Sequence, residues 1–331
     1  MKNKYPELFQ AIQKYNNIIL VTHYSPDGDA LGSMAALAYA LIALGKTVRL
    51  YNQSVQPENF SWVPLPCVLD NELNKLKDFP AELLITLDCG DESRTGRELL
   101  PLLQNKKTLP WKDIVVVNID HHFGNSEFGD LNIVESDAPA TAFIIGELIE
   151  SLGLELKDEI GIGVFLGIYT DTGAFAYPST TAKSLEMGAR VIKNGLNIRE
   201  FTEKLSNTWT LNRMQLWGRL WQELELCSGG KVAISKIPHA YFEDTQTTSE
   251  DLEGYASFLR HLKGVKAVLM IRERKDGTVK ASFRSDGVIN VQQIAFELGG
   301  GGHKAAAGVD SNLDMQTFAG KARILLEQYI R

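Results

Sequence analysis

The chain has 331 residues, of which 44% are hydrophobic and 23% are charged, and its formal net charge is −7. This length suffices for two domains with separate cores, and the composition is ordinary for a globular protein. The negative charge argues against a broadly basic protein that coats nucleic acid, but it allows a small phosphorylated substrate. The three cysteines form no CxxC pair, which argues against a disulfide framework or a zinc ribbon.

Cysteine usage and hydropathy predict a cytoplasmic protein with no membrane contact. Three cysteines without a pairing pattern are typical of a reducing compartment. The first residues lack the apolar core of a signal peptide, and the longest apolar stretch, at residues 30–44, is shorter than a membrane-spanning helix.

Continuous apolar runs alternate with helical patterns over residues 1–195. Such runs are typical of strands that are covered on both faces, so we predict an α/β domain with a mostly parallel sheet flanked by helices. The predicted strands lie at residues 18–21, 46–51, 83–87 and 114–119. The predicted helices lie at residues 30–44, 141–152, 159–168 and 181–194. Ligands of such sheets bind at the carboxyl ends of the strands.

A smaller α+β domain is predicted over residues 229–331, after a helical linker at residues 196–228. Its predicted strands lie at residues 231–237, 267–272 and 279–284, and its helices at residues 249–262 and 291–298. The dipeptide Asp276-Gly277 indicates a hairpin between the last two strands. Trp217 and Trp221 lie four residues apart in the linker, and we expect them to pack the junction between the domains.

The turn after the first strand carries His23, Asp27 and Asp29. Two carboxylates two residues apart repel each other unless a proton or a cation intervenes. The spacing therefore offers one nitrogen and two oxygen ligands to a metal ion. An Asp- and Gly-rich loop that caps the following helix is the alternative interpretation.

Three further candidate ligands, Asp88, His121 and Asp171, occur near later strand or helix ends. Carboxylates suit hard divalent cations, and added imidazoles shift the preference towards manganese, iron or cobalt. Six ligands can serve two metal ions if one carboxylate bridges them. Asp88 is the expected bridge, because it lies at the end of an interior strand. Two such ions clamp the attacking and leaving oxygens of a phosphoryl transfer. Cys89 is either a thiolate ligand or, as we favour, a small buried residue.

A glycine-rich run at residues 299–308 follows the last predicted helix. Glycine lets backbone N–H groups approach a phosphate closely, and arginine is a bidentate phosphate ligand. A flexible linker or a helix C-cap are alternative interpretations of the run. The predicted substrate-binding residues are Arg284, Ser285, Gly301, Gly302 and His303.

Taken in chain order, these motifs resemble the DHH phosphoesterase superfamily. The matching stretches are residues 27–33, Asp88-Cys89-Gly90, Asp120-His121-His122 and Asp171-Thr172-Gly173. The glycine-rich run resembles the signature of the DHH-associated C-terminal domain. The short two-domain form is similar to the nanoRNase group, bifunctional oligoribonucleases that also remove the 3′-phosphate of pAp.

The resemblance implies two divalent metal ions, with Mn²⁺ favoured over Mg²⁺ or Co²⁺, and an active site in a cleft between the domains. One ion would be held by His23, Asp27 and Asp88, and the other by Asp29, Asp88, His121 and Asp171. Asp120 would orient a ligand histidine, and His122 would lie near the scissile phosphate.

The function implied is hydrolysis of short oligoribonucleotides to mononucleotides and of pAp to AMP, with both as substrate partners. A homodimer is compatible with the sequence. The alternatives are a cyclic-dinucleotide phosphodiesterase, a RecJ-like single-strand exonuclease and a non-catalytic RNA-binding module. Inorganic pyrophosphatases and polyphosphatases share the first domain but not the glycine-rich signature.

Overall fold

The computed structural model describes residues 4–111, 113–206 and 209–330. The chain divides into two compact units, Met1–Thr208 and Trp209–Arg331. The expected helical linker at residues 196–228 is shared between these units, because Phe201 is buried in the core of the first and Trp217 in the core of the second.

The first unit is built on a six-stranded parallel sheet, which confirms the predicted α/β class. Its strands are β1 (Asn17–Thr22), β2 (Thr47–Tyr51), β3 (Leu69–Asp70), β4 (Leu83–Leu87), β5 (Val115–Asp120) and β6 (Leu131–Val134). Its helices are α1 (Pro6–Lys14), α2 (Gly28–Ala43), α3 (Leu100–Gln104), α4 (Thr141–Ser151), α5 (Asp158–Asp171), α6 (Ala182–Lys193) and α7 (Ile198–Ser206). Sequence reasoning did not predict α1, α3, β3 or β6.

The sheet has the strand order β3-β2-β1-β4-β5-β6. Neighbouring residues of β1 enter two different cores, Ile18 and Leu20 on one face and Ile19 and Val21 on the other. This burial on both faces explains the continuous apolar runs in the sequence. The chain order reverses between β1 and β4, and the carboxyl ends of these two strands therefore form the crevice in which open α/β sheets bind ligands.

Glycines hold α2 and α5 in close contact. A Cβ atom at Gly163 would lie 2.5 Å from the carbonyl oxygen of Gly32 and 2.9 Å from the backbone nitrogen of Ala36. No side chain fits between the helices at this point. The close approach brings the first turn of α2, with Asp29, against the last turns of α5, which end at Asp171.

The second unit contains a mixed six-stranded sheet with the order β11-β12-β10-β9-β8-β7, in agreement with the predicted α+β domain. Its strands are β7 (Glu225–Cys227), β8 (Val232–Ile237), β9 (Ala267–Glu273), β10 (Val279–Ser285), β11 (Gly301–His303) and β12 (Ala306–Ser311). Its helices are α8 (Leu211–Gln222), α9 (His239–Thr245), α10 (Tyr255–Leu259), α11 (Val291–Glu297) and α12 (Met315–Tyr329). The single helix predicted at residues 249–262 is divided at Gly254, which has a φ of +80°.

The tryptophans of α8 contact aromatic side chains of the second unit, and their packing at a junction between the domains stays a prediction. The Trp217 ring contacts Tyr255 edge-on with ring centroids 5.0 Å apart, and the Trp221 ring stacks on Phe258 at 5.5 Å. The Trp217 indole also donates a hydrogen bond to the carbonyl of Asp251. Among the described residues, no helix is long and apolar enough to cross a membrane.

Candidate metal centre and active site

The turn from β1 to α2 carries the first two predicted ligands. Asp27 caps α2, since its Oδ1 accepts hydrogen bonds from the backbone nitrogens of Asp29 and Ala30 at 3.0 and 3.1 Å. The same oxygen lies 3.7 Å from Nε2 of His23. The two interpretations of this turn are therefore compatible, because one carboxylate caps the helix and also faces an imidazole.

Asp29 is fully buried and stabilises the start of α4. Its two oxygens accept hydrogen bonds from the backbone nitrogens of Thr141 and Ala142 at 2.6 and 2.8 Å. The positive end of a helix dipole favours a carboxylate at this position. The Thr141 hydroxyl donates a hydrogen bond of 3.0 Å to Asp88 Oδ1, so the same helix N-terminus fixes two predicted ligands.

Asp88 lies directly after β4 in a left-handed backbone conformation, with a φ of +60°. Such a conformation is uncommon for a residue with a side chain, and it occurs preferentially at functional sites. Its two oxygens face different histidines: Oδ2 lies 3.5 Å from His23 Nε2, and Oδ1 lies 3.7 Å from His121 Nε2. A bridging carboxylate requires this arrangement.

The last two predicted ligands meet across 50 residues of chain. Asp171 is the final residue of α5, and its Oδ2 lies 3.1 Å from His121 Nε2, which also lies 3.8 Å from Asp29 Oδ2. The other ring nitrogen of His121 is 3.2 Å from the carbonyl of Ala138. A backbone carbonyl at Nδ1 fixes the tautomer that leaves Nε2 as a ligand atom.

Burial and mutual repulsion perturb the ionisation of these groups. Burial, followed by the charges of Asp88 and Asp171, raises the pKa of Asp29 well above its usual range. Burial also raises the pKa of Asp171, despite its contact with His121. Burial disfavours the imidazolium forms of His23 and His121, but the facing carboxylates outweigh this and raise both pKa values to about 10. The cluster therefore retains protons in the absence of another cation.

The ligand atoms fall into groups that fit metal ions. His23, Asp27 and Asp88 form one group, and Asp29, His121 and Asp171 form another, with the ligand atoms of each group within 4.8 Å of one another. Within residues 4–111, 113–206 and 209–330, these carboxylates form ion pairs with histidines and with no lysine or arginine. The donor set of carboxylates and imidazoles suits divalent transition metals.

Asp120, which the resemblance implies to orient a ligand histidine, contacts His122. Its Oδ1 lies 2.8 Å from Nδ1 of His122, whereas His121 is held by the carbonyl of Ala138. Asp120 is buried, and the His122 side chain is 50% exposed. The hydrogen bond that His122 makes to the Asp120 carboxylate raises the pKa of His122. His122 Nδ1 is also 3.6 Å from Asp88, which places the ring beside the candidate metal ligands.

Cys89 is fully buried, and its thiol lies 3.4 Å from the carbonyl oxygen of Leu87. Burial, and then the charge of Asp88, raises the pKa of the thiol well above its usual range. A protonated thiol is a poor metal ligand, so the structure favours the interpretation of Cys89 as a small buried residue.

The predicted substrate-binding residues lie together in the second unit. Arg284 on β10 and His303 on β11 both pair with Ala306 of β12, so the three occupy one row of the sheet. Residues in one row project from the same face, and Arg284 and His303 are two strand spacings, or about 10 Å, apart.

The glycine-rich run contains one structure that its sequence suggested, a helix C-cap, and one that it did not, an edge strand. Gly299 has a φ of +86° and terminates α11, as a C-cap glycine does. Gly301 and Gly302 continue as the exposed edge strand β11, which was not predicted. Ser285 is buried, and its hydroxyl donates to the carbonyl of Ile289 at 2.7 Å and accepts from Gly287. This hydroxyl therefore stabilises a turn.

Sequence reasoning missed two residues that organise the site. Thr141 holds Asp88 and Asp29 through its hydroxyl and its backbone nitrogen, and Asn125 holds Asp120 through its side-chain amide. Asn125 follows the Asp120-His121-His122 motif by only three residues, so its proximity was visible in the sequence. Thr141 gave no such signal.

Two family models match this chain. The N-terminal domain of the DHH family matches residues 17–168, and the DHHA1 domain matches residues 229–327. The chain belongs to the DHH family of phosphoesterases. The matched regions contain five of the six predicted metal ligands and all of the predicted substrate-binding residues, and Asp171 follows three residues after the first match.

Curated relatives resemble the chain over nearly its whole length. It is 33% identical over 302 residues to the bifunctional oligoribonuclease and PAP phosphatase NrnA of Thermus thermophilus, covering 91% of this chain and 86% of that protein. It is 27% identical to the protein of the same name from Bacillus subtilis, covering 91% of each chain.

Solved structures share the fold. The exopolyphosphatase-related protein from Bacteroides fragilis superposes with a TM-score of 0.87 at 23% identity, covering 98% of this chain and 96% of that one. The exonuclease RecJ bound to manganese superposes with a TM-score of 0.52 at 19% identity, covering 98% of this chain and 92% of that one.

Proposed function

We propose that this protein is a metal-dependent phosphoesterase that degrades short oligoribonucleotides to mononucleotides and converts pAp to AMP. The observation that carries the proposal is the pair of ligand groups joined by Asp88 at the β1/β4 crevice. The names of the relatives from Thermus thermophilus and Bacillus subtilis support the choice of substrates.

Two divalent cations are proposed to bind at the two ligand groups, with Mn²⁺ favoured by the mixture of carboxylates and imidazoles. His23 and Asp27 would hold one ion, Asp29, His121 and Asp171 would hold the other, and Asp88 would contact both. The ions would activate water and neutralise the charge that develops on the phosphoryl group.

His122 is proposed to act on the substrate itself. Asp120 holds Nδ1 of the ring at 2.8 Å, and this carboxylate raises the pKa of His122, which favours the imidazolium form. An imidazolium at this position donates a hydrogen bond to a phosphate oxygen or a proton to the leaving group. Asn125 donates a hydrogen bond of 2.6 Å to Asp120 and thereby keeps this carboxylate in place.

Arg284 and His303 are proposed to hold a second, non-reacting phosphate of the substrate, together with the backbone of Gly301 and Gly302. Burial, and then the charge of Arg260, lowers the pKa of the Arg284 guanidinium. A bound phosphate would relieve this repulsion. That both units act on one substrate molecule stays a prediction, as do the cytoplasmic location and a homodimer.

The test uses purified protein with Mn²⁺ and three substrates at equal concentration: an RNA dinucleotide, pAp and inorganic polyphosphate. We expect mononucleotides from the dinucleotide and AMP from pAp. Release of phosphate from polyphosphate alone would contradict the proposed substrates. Turnover of cyclic dinucleotides alone would favour the phosphodiesterase alternative.

The proposed site is tested with Asp171→Ala and His121→Ala, both of which we expect to abolish turnover while the protein stays folded. Asp78→Ala is the matched control, because it removes an exposed carboxylate of the same unit. Normal turnover in either site variant would refute the assignment of the ligands. Metal content, measured by mass spectrometry of the purified proteins, separates loss of metal from loss of fold.

A further inference from the structure

The loop after β5 carries one solvent-exposed aromatic ring beside the candidate active site. Phe123 follows His122 directly, and its side chain is 96% exposed, the highest exposure of any large hydrophobic side chain among the described residues. Exposure of a single apolar side chain is common on protein surfaces. Phe123 is unusual because of its position next to a histidine that faces the metal ligands.

Hydrogen bonds anchor the residues that follow the tip of this loop. The Asn125 side-chain amide donates to Asp120 and to the carbonyl of Cys89, and its oxygen accepts from Asn118 and from the backbone of Glu127. Ser126 donates its backbone N–H to the carbonyl of Gly90 at 2.9 Å. These bonds leave only a two-residue tip, Phe123-Gly124, in which Gly124 adopts a φ of +80°.

These bonds fix the backbone next to Phe123 and leave its ring uncovered. Both the nitrogen and the oxygen of the Asn125 side-chain amide take part in these bonds. Because the residues that follow the tip are already ordered, only the tip has to be ordered when a planar ligand binds. The Cα atoms of His122 and Phe123 are about 3.8 Å apart, so the two side chains start from neighbouring points of the loop.

We propose that Phe123 is a base-stacking platform that binds a nucleobase adjacent to the scissile phosphate. This inference rests on the proposed oligonucleotide substrate, in which each phosphate is linked to a base through one ribose. Every base has a π face, so stacking binds nucleotides without strong sequence preference and discriminates against pyrophosphate and polyphosphate. Stacking of one base on an aromatic side chain corresponds to about a 5- to 150-fold gain in binding.

The experiment compares the wild type with Phe123→Ala and Phe123→Trp. The ligands are a diadenosine RNA dinucleotide and its two singly abasic analogues. Binding is measured without added metal, and turnover is measured with Mn²⁺. We expect Phe123→Ala to weaken binding of the dinucleotide and raise its KM by about 5- to 150-fold. For one abasic analogue the same variant should change both values by less than twofold, and Phe123→Trp should retain dinucleotide affinity.

Val68→Ala provides the control. Val68 is a 74% exposed apolar residue that precedes β3, the edge strand at the other end of the sheet from β5 and β6. It should leave binding and KM unchanged. Equal losses of Phe123→Ala on all three ligands, or no loss on the dinucleotide, would overturn the stacking platform. Base-dependent binding through Phe123 without hydrolysis would leave the platform standing and refute the proposed function.

Discussion

The glycine contact between α2 and α5 leads to a sharp prediction for Gly163→Ala. The added Cβ would lie 2.5 Å from the carbonyl oxygen of Gly32, whereas ordinary contacts begin at 3.4 Å. The helices must therefore separate by about 0.9 Å at this point, the difference between these two distances. Because α2 carries Asp29 and α5 carries Asp171, the separation would displace one half of a candidate metal site from the other.

The magnitudes follow from two opposing effects. Overpacking of a tight contact costs about 1–3 kcal/mol, and replacement of a helical glycine by alanine returns about 1 kcal/mol. We expect Gly163→Ala to lose about 0–2 kcal/mol of unfolding free energy, a modest change. Misplacement of reacting groups by about 1 Å can reduce the rate by about 100-fold, so turnover should fall far more than stability.

The assay pairs denaturant unfolding with Mn²⁺-dependent turnover of an RNA dinucleotide. Gly320→Ala in α12 is the matched control, because a Cβ at this helical glycine meets nothing within 4 Å. The unfolding free energy of this control should rise by up to about 1 kcal/mol, and its turnover should stay unchanged. If Gly163→Ala matched this control in both stability and turnover, the helix contact would not position the site.

Two further predictions concern the substrate phosphate and the metal. Arg284→Ala should chiefly raise KM, because it removes binding to a non-reacting phosphate. Lys280→Ala, which removes an exposed cation four residues earlier on the same face of β10, should leave KM unchanged. A pure loss of kcat would assign Arg284 to the transition state. Mn²⁺ at 100 times its Kd should stabilise the protein by about 2.7 kcal/mol, or about 5–10 °C in Tm. Since the pKa values of His23 and His121 are about 10 against an ordinary 6.5, metal binding must displace their protons. The Mn²⁺-induced shift in Tm should therefore be larger at pH 8 than at pH 6, and a shift independent of pH would contradict these imidazoles as ligands.

Sequence reasoning succeeded where the signal was local. The continuous apolar runs predicted the central parallel strands, since burial on both faces leaves no alternation to obscure them. Carboxyl ends of parallel strands share one edge, and His23, Asp88 and His121 could thus be placed together without knowledge of the strand order. Short edge strands such as β11 were not predicted, because they bury too few side chains to show an apolar pattern in the sequence.

Partner choice was decided by the tertiary structure. Asp29 and Thr141 are 112 residues apart, and only the crossing of α2 with α4 and α5 brings that carboxylate to the start of α4. The same holds for Asp120, whose partner is His122 because the ring of His121 turns to Asp171 and Ala138. The types and approximate positions of the candidate ligands follow from the sequence, since short motifs encode them. Which atoms face each other depends on contacts between distant helices, which no short motif encodes.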